Sequence, residues 1–391
     1  MKIKSIDITG VGGLGALSVD FDESMNLISG PNGIGKTTLL ECVAHAFTAN
    51  GSNILRRSVS HETGSFRVEI ENDGQLQNTE IFVADFLPSV YSNISGFYSL
   101  SSKLLSLKVN RTLTYQALDS VGKDTHKDIS SSYNEAKSGV NIHEVKNWFV
   151  NRYLYSAHPQ ALTDEQISNF ALAKKSFSVL SAGFSFSRVL ASSNEIMVNS
   201  PGGEIYYEYL SSGFKSCLSI IFGIIKDIEF RFKQPHMKAE DFDGIILIDE
   251  LELHLHPEWQ SKISRILVEI FPRVQFIAST HSPHILQNAK PNEIIALAFD
   301  GGQVYKRDLP EGAYGFQGWT VEEILTDVMG MADTRTQVYQ DQIAKFESYV
   351  DSERYHEAEL VYEELDKLLH PDNYLRKLLK FQLASIKEDV E

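Results

Sequence analysis

Gly30-Pro31-Asn32-Gly33-Ile34-Gly35-Lys36-Thr37-Thr38 decides the reading of this chain. It matches G-x-x-x-x-G-K-S/T and stands where that pattern has physical meaning. The run Met25-Asn26-Leu27-Ile28-Ser29 predicts a short strand before it. Apolar residues at helical spacing (Leu39, Leu40, Val43, Ala44, Phe47) predict a helix over 36–49, ended by Asn50-Gly51. A glycine turn between strand and helix lets backbone N–H groups close around phosphate, and the helix N-terminus favours the anion. Asn32, Gly33, Gly35, Lys36, Thr37 and Thr38 are therefore candidate nucleotide-binding residues. Lys36 is placed to reach the β and γ oxygens of ATP, and the Thr37 hydroxyl to ligate Mg2+.

Farther along, Gly244-Ile245-Ile246-Leu247-Ile248 runs without interruption into Asp249-Glu250. A continuous apolar run predicts a parallel strand buried on both faces. At its end, Asp249 can hold the Mg2+ shell and Glu250 can polarise an attacking water. A second such run, 274–279, ends in Thr280-His281-Ser282-Pro283. Open α/β sheets bind ligands at the carboxyl ends of their strands, which makes His281 a candidate rather than an ordinary structural histidine.

Around these runs, 2–22 alternates apolar and polar residues with glycines between, and 66–70 and 79–83 flank Glu71-Asn72-Asp73-Gly74, so both predict antiparallel hairpins. From 87 to 200 the chain is rich in Ser, Lys, Tyr and Asn, with helical spacing around 141–155 and 163–180, and predicts a mostly helical insertion. Residues 204–210 predict a strand followed by a helix from Ser212, and 339–350, 354–369 and 373–386 predict three terminal helices. A stripe of Val361, Leu365 and Leu368 on them is a candidate docking surface. The expected divisions are 1–86 and 201–311 as two halves of a nucleotide-binding head, 87–200 as the insertion and 319–391 as a helical domain. A length of 391 residues suits such a composite better than a single core.

The composition, 42% apolar and 23% charged, is that of a globular protein. No uncharged apolar run reaches membrane-spanning length and no apolar leader opens the chain, so a cytoplasmic protein with no membrane partner is expected. Cys42 and Cys217 lie in apolar stretches and are expected to act as small hydrophobes, not a disulfide. The formal net charge of −16 opposes nucleic acid, so DNA contact is expected only locally or through a partner. Lys103, Lys108, Arg111, Lys123 and Lys127 thicken the basic content of one region, which reads as a solvated face.

The ordered set formed by 30–38, Tyr209-Leu210-Ser211-Ser212-Gly213-Phe214-Lys215-Ser216, Asp249-Glu250-Leu251-Glu252-Leu253-His254-Leu255-His256-Pro257 and 279–283 resembles the ABC-type ATPases of the OLD, RecF and SMC-like group. Within it, the short length and helical tail most resemble the ATPase subunit of Septu-type and retron-associated anti-phage systems. The resemblance implies an α/β fold, an ABC-ATPase head with a P-loop parallel sheet, an antiparallel β layer, a helical insertion and a C-terminal helical bundle. It implies hydrolysis of ATP to ADP and phosphate, dimerisation over Mg-ATP or higher oligomers, and an HNH-type nuclease partner. Ser211, Ser212 and Gly213 would be a signature that meets the γ-phosphate of the opposite subunit, although Ser212 replaces a usual glycine and Phe214 a usual glutamate or glutamine. His281 would be the catalytic switch histidine beside Glu250. The glutamine loop has no clear position; Gln75, Gln77 and Gln116 are candidates.

Two histidines two apart, His254 and His256, invite a zinc reading, but no third ligand of suitable spacing follows. An intrinsic nuclease is not expected either, because no D-x-D stands at a strand end after the last core strand. The competing functions are a DNA-repair ATPase of the RecF/SMC type, which would bring a long coiled coil, and a transporter nucleotide-binding subunit, which would lack the insertion.

Overall fold

The computed structural model describes every residue except 112–114, 116, 143, 311, 313 and 388–391. Gln116 thus lies outside the described residues. The chain forms two compact units, Met1–Gly330 and Met331–Glu391.

The first unit opens with strands β1 (Lys2–Val11), β2 (Leu14–Asp20) and β3 (Met25–Ser29), then helix α1 (Lys36–His45). After β4 (Gly51–Ser52) come β5 (Gly64–Asn72), β6 (Gln75–Val83), β7 (Ser92–Asn93) and β8 (Leu104–Leu107). Helices α2 (Ile129–Ser138), α3 (Val145–Ser156) and α4 (Asp164–Leu180) precede β9 (Ser185–Val189), β10 (Ile196–Ser200) and β11 (Gly203–Tyr206). The unit continues through α5 (Ser212–Arg231), β12 (Ile245–Ile248), α6 (Pro257–Ile270), β13 (Gln275–Ser279), α7 (Pro283–Gln287), β14 (Ile294–Asp300), β15 (Gln303–Lys306) and the short α8 (Val321–Glu323).

A six-stranded sheet, ordered β15-β14-β3-β13-β12-β8, carries the fold. Its strands are parallel except β15, which pairs antiparallel with β14. The uninterrupted apolar runs of β12 and β13 are explained by two cores. Ile246, Ile248, Phe276 and Ala278 face one cluster, while Ile245, Leu247 and Ile277 face the other. The second cluster lies between this sheet, α1 and the antiparallel layer β2-β1-β5-β6. The α/β class and the antiparallel layer are as expected. Cys42 sits in one core and Cys217 in the other, both as free thiols.

Three expectations need correction. Residues 87–200 are not simply a helical insertion, because β8 within them is the edge strand of the main sheet, in register with β12 from Leu104↔Ile245 to Leu107↔Ile248. Four residues are too few to show a period, and this strand is stabilised by its pairing. The strand expected over 204–210 ends at Tyr206, where a single helical turn, Tyr207–Tyr209, leads into α5. The C-terminal boundary falls at Gly330 rather than near 319, because Ile324, Val328 and Met329 are buried in the core of the first unit.

The second unit contains α9 (Gln337–Asp351), α10 (Tyr355–Leu368) and α11 (Leu375–Ser385). They pack around Phe346, Ala358, Leu365, Leu379 and Leu383. The stripe expected to face outward is mostly internal, since Leu365 is fully buried and Val361 packs on the same core; Leu368 is half-exposed. The apolar side chains left outside include Val338, Leu360, Tyr374, Leu378 and Phe381.

Candidate functional site

The parallel registers bring the carboxyl ends of β3, β13, β12 and β8 to one edge of the sheet. The loop after β3 is the glycine-rich stretch. Gly30 has φ 143°, and a Cβ there would stand 2.4 Å from the Leu297 carbonyl oxygen, so no other residue fits. Gly35, φ 106°, caps α1 without any side-chain acceptor, which leaves the first N–H groups of the helix available to an anion. Asn32, Gly33 and Thr37 are exposed, and Thr38 is half-buried.

Lys36 is buried, and its Nζ turns back to donate to the carbonyls of Gly30 at 2.8 Å and Pro31 at 2.9 Å. Burial pulls its ammonium below the usual lysine range, an effect opposed by the charges of Glu252, Asp249 and Glu250. The Thr37 hydroxyl lies 3.2 and 3.3 Å from the two carboxylate oxygens of Asp249. A hydroxyl beside a carboxylate is the oxygen-donor set that suits a hard cation such as Mg2+. These features together fit a nucleotide with its metal.

Ser279, at the end of β13, organises the acidic pair. Its hydroxyl donates to Asp249 Oδ1 at 2.6 Å and accepts from the Glu250 N–H at 2.7 Å. Glu250 has φ 52°, a left-handed conformation a non-glycine residue holds only when its surroundings impose it. Its carbonyl accepts from Leu253 N–H at 3.0 Å and from Arg111 Nη2 at 2.6 Å. Glu252 ties this turn to the neighbouring loop, accepting the His281 N–H at 2.6 Å and the Thr280 hydroxyl at 2.7 Å. His281 is thereby held at the same edge.

Ser211 and Ser212 lie on the surface at the start of α5, and Gly213 beside them is buried. Ser211 caps α5, accepting from the Phe214 N–H, and both serines are exposed. A Cβ at Gly213 would meet Trp259 Cδ1 at 2.8 Å. The Phe214 ring stands 5.2 Å from that of Trp259 and 5.0 Å from that of Phe184, which explains an aromatic residue at this position. Among the described residues no hydrogen bond joins Ser211, Ser212 or Gly213 to residues 30–38.

His256 is the N-cap of α6, with Pro257 in its first turn. His-Pro here is thus a helix start. Gln75 and Gln77 lie on β6, in the antiparallel layer.

Sequence reading missed Arg111, Ser279 as the link between the acids, and Glu252 as the tie to the loop of His281. The basic residues read as a solvated face are largely drawn inward. Arg111 is 3% exposed, Lys108 pairs with Glu41 at 2.6 Å, Lys103 with Asp243 at 3.4 Å, and Lys127 with Asp227 and Glu135, while Lys123 is exposed.

Residues 25–287 match the family described as "AAA domain, putative AbiEii toxin, Type IV TA system". The chain is 43% identical over 398 aligned residues, covering 100% of both proteins, to the Septu protein PtuA of Bacillus thuringiensis. It is 23% identical to the Retron Ec83 probable ATPase of Escherichia coli across 73% of this chain and 54% of that protein. A head domain of SMC from Thermotoga maritima superposes with a TM-score of 0.46 at 14% identity, over 80% of this chain and all of that one. Nearly half of the residues shared from end to end with a Septu PtuA, and an AAA-domain match spanning the glycine loop, acidic pair and His281, place this chain in the Septu PtuA family of ATPases.

Proposed function

We propose that this chain binds Mg-ATP in two composite sites formed by two copies of itself, hydrolyses it, and uses the cycle to control a partner nuclease in anti-phage defence. The observation that carries this reading is the division of the site. Lys36, Thr37, Asp249 and Glu250 gather at one sheet edge, while Ser211 and Ser212 at the α5 helix start are solvent-exposed and outside that hydrogen-bonded cluster.

In this reading the glycine loop and the α1 N-terminus hold the phosphates, and Lys36 exchanges its two loop carbonyls for phosphate oxygens. Thr37 and Asp249 would hold Mg2+, which when bound polarises the phosphoryl group. Glu250 orients and deprotonates the attacking water, its peptide pinned by Ser279. His281 contacts the γ-phosphate, and Ser211, Ser212 and Gly213 approach it from the second subunit. The electropositive surface for DNA and the hydrolytic site for it belong to the partner, an HNH-type nuclease, consistent with the −16 charge of this chain. The second unit, with Tyr374, Leu378 and Phe381 exposed, is the proposed dock.

The test is complementation. Lys36→Ala should lose ATP, and Ser212→Glu should repel phosphate while sitting favourably in the first turn of α5. Each is expected to be inactive alone, and a mixture to recover part of the hydrolysis. Mixtures as inactive as both parents would mean that each site is complete within one chain. The full-length chain incubated alone with plasmid, ATP and Mg2+ or Mn2+ should leave the DNA intact; cleavage by it would remove the partner from the proposal.

A further inference from the structure

Arg111 is a buried cation without an anion. It follows β8 at the sheet edge that carries Asp249 and Glu250, and only 3% of it is exposed. Nη2 donates to the Glu250 carbonyl at 2.6 Å. Nε and Nη1 are shielded from solvent and have no hydrogen-bond partner. Among the described residues no carboxylate lies within ion-pair distance of it, although Asp249, Glu252 and Glu250 are near enough for their charges to act on it. An unsatisfied buried donor is destabilising, the more so when it is charged. Folds that keep a buried charge normally pair it.

The surroundings say which anion is missing. The Glu250 carbonyl that Arg111 holds belongs to the residue after Asp249, and Asp249 lies within 3.3 Å of the Thr37 hydroxyl at the start of α1. The guanidinium is therefore next to the acidic end of the phosphate cradle, just after the strand that β13 and β12 separate from the one leading into Lys36's loop. It also borders a cavity of about 190 Å³, lined by Leu107, Asn110, Gly139, Val140 and Ile142, which gives the side chain room to turn.

We propose that Arg111 is a further residue of the nucleotide site, donating from Nε and Nη1 to the terminal phosphate of ATP while Nη2 holds the Glu250 peptide. This rests on the nucleotide reading above. Arginine suits the task, because its planar fork can serve a phosphate and a carbonyl at once and stays charged when buried. Arg111 thereby makes the left-handed turn at Glu250 responsive to the presence of the γ-phosphate. ADP, which lacks that group, leaves two of the donors unmet.

The experiment compares binding of a fluorescent non-hydrolysable ATP analogue and of fluorescent ADP, with Mg2+, to the full-length chain. In Arg111→Gln the affinity for the ATP analogue should fall about tenfold or more, as expected for lost charge-assisted hydrogen bonds, and that for ADP less than about twofold. Turnover should fall further, since Glu250 loses its anchor. Unchanged ATP binding, or equal losses for ATP and ADP, would overturn the phosphate contact and leave Arg111 a support for Glu250 alone. If Arg111→Gln does not fold by circular dichroism, Arg111→Lys carries the same comparison: a reduced preference for ATP over ADP supports the proposal, and a wild-type preference overturns it. Lys36→Ala is measured in parallel. If it binds both nucleotides as well as wild type, the nucleotide reading itself fails; if it loses them while Arg111→Gln does not, only the assignment of Arg111 fails.

Discussion

The phosphate edge and the Ser211–Gly213 helix start differ in how much each is finished within one chain. At the first, Thr37, Asp249, Ser279, Glu250 and Arg111 are joined by consecutive hydrogen bonds and Glu252 holds the backbone of His281, the residues coming from four separate segments. At the second, Ser211 bonds only to its own helix and two serines face solvent. A cluster that holds its own geometry needs a ligand to act, whereas an exposed helix N-terminus needs something brought to it. The same contrast separates stability from assembly: substitutions at the edge should disturb the fold and the chemistry together, and those at Ser211 and Ser212 chiefly the chemistry.

The largest expected effect is at Glu250. Glu250→Gln should retain ATP and lose roughly 10²–10⁴-fold in turnover, read as phosphate release, because a general base contributes on that scale. Turnover equal to wild type would remove Glu250 from the base role and with it the chemical half of the contrast.

Next is a pH effect at the base of the phosphate edge. His45, in α1, is fully buried with Nδ1 2.8 Å from the Glu41 carbonyl oxygen and Nε2 2.7 Å from the Ser52 hydroxyl. Burial lowers its pKa from the ordinary 6.5 to about 4. The unfolded chain therefore takes up the proton first, so stability is fully present above about pH 6.5 and declines as pH falls towards 4. The loss amounts to about 3 kcal/mol at most. Urea midpoints measured across that range should slope for wild type and flatten for His45→Gln; equal slopes would place the titration elsewhere.

Ser279→Ala removes a buried donor to Asp249 and the part-buried acceptor for the Glu250 N–H, and should cost about 1–3 kcal/mol of stability in urea titrations along with a fall in turnover. A loss of turnover without loss of stability would show that the edge is less pre-organised than its hydrogen bonds imply. Ser211→Ala should cost the least, about 1 kcal/mol for a lost cap. Its thermal midpoint is the measurement, and a shift larger than that of Ser279→Ala would reverse the contrast.

Much of this was legible in the residues. The glycine loop is a local object: backbone conformation and ligand chemistry are both encoded within nine consecutive positions, so 30–38 could be read without knowing its neighbours. The same holds for the β12 run into Asp249-Glu250. Gly213 and Phe214 were placed at a helix start, but their packing on Trp259 has no sequence signal, because the partner lies on another helix. The outward stripe expected at Val361, Leu365 and Leu368 failed for a related reason. A helical period reveals that one face is apolar, not whether its own bundle or a partner will cover it.

The sequence by itself thus determined the elements whose instructions are short-range: the strand, glycine turn and helix of 25–45, the buried parallel strands and their acidic ends, and the terminal helices. Only the tertiary structure decided that Leu104–Leu107 closes the sheet beside β12, and that Arg111 is carried by it to the Glu250 carbonyl, 139 positions away. It also decided that Ser279 joins the two acids and that Glu252 reaches the loop of His281. Such long-range pairings depend on strand order and register, which are selected by how whole faces pack, and no local pattern around Arg111 distinguishes a buried arginine from a solvated one.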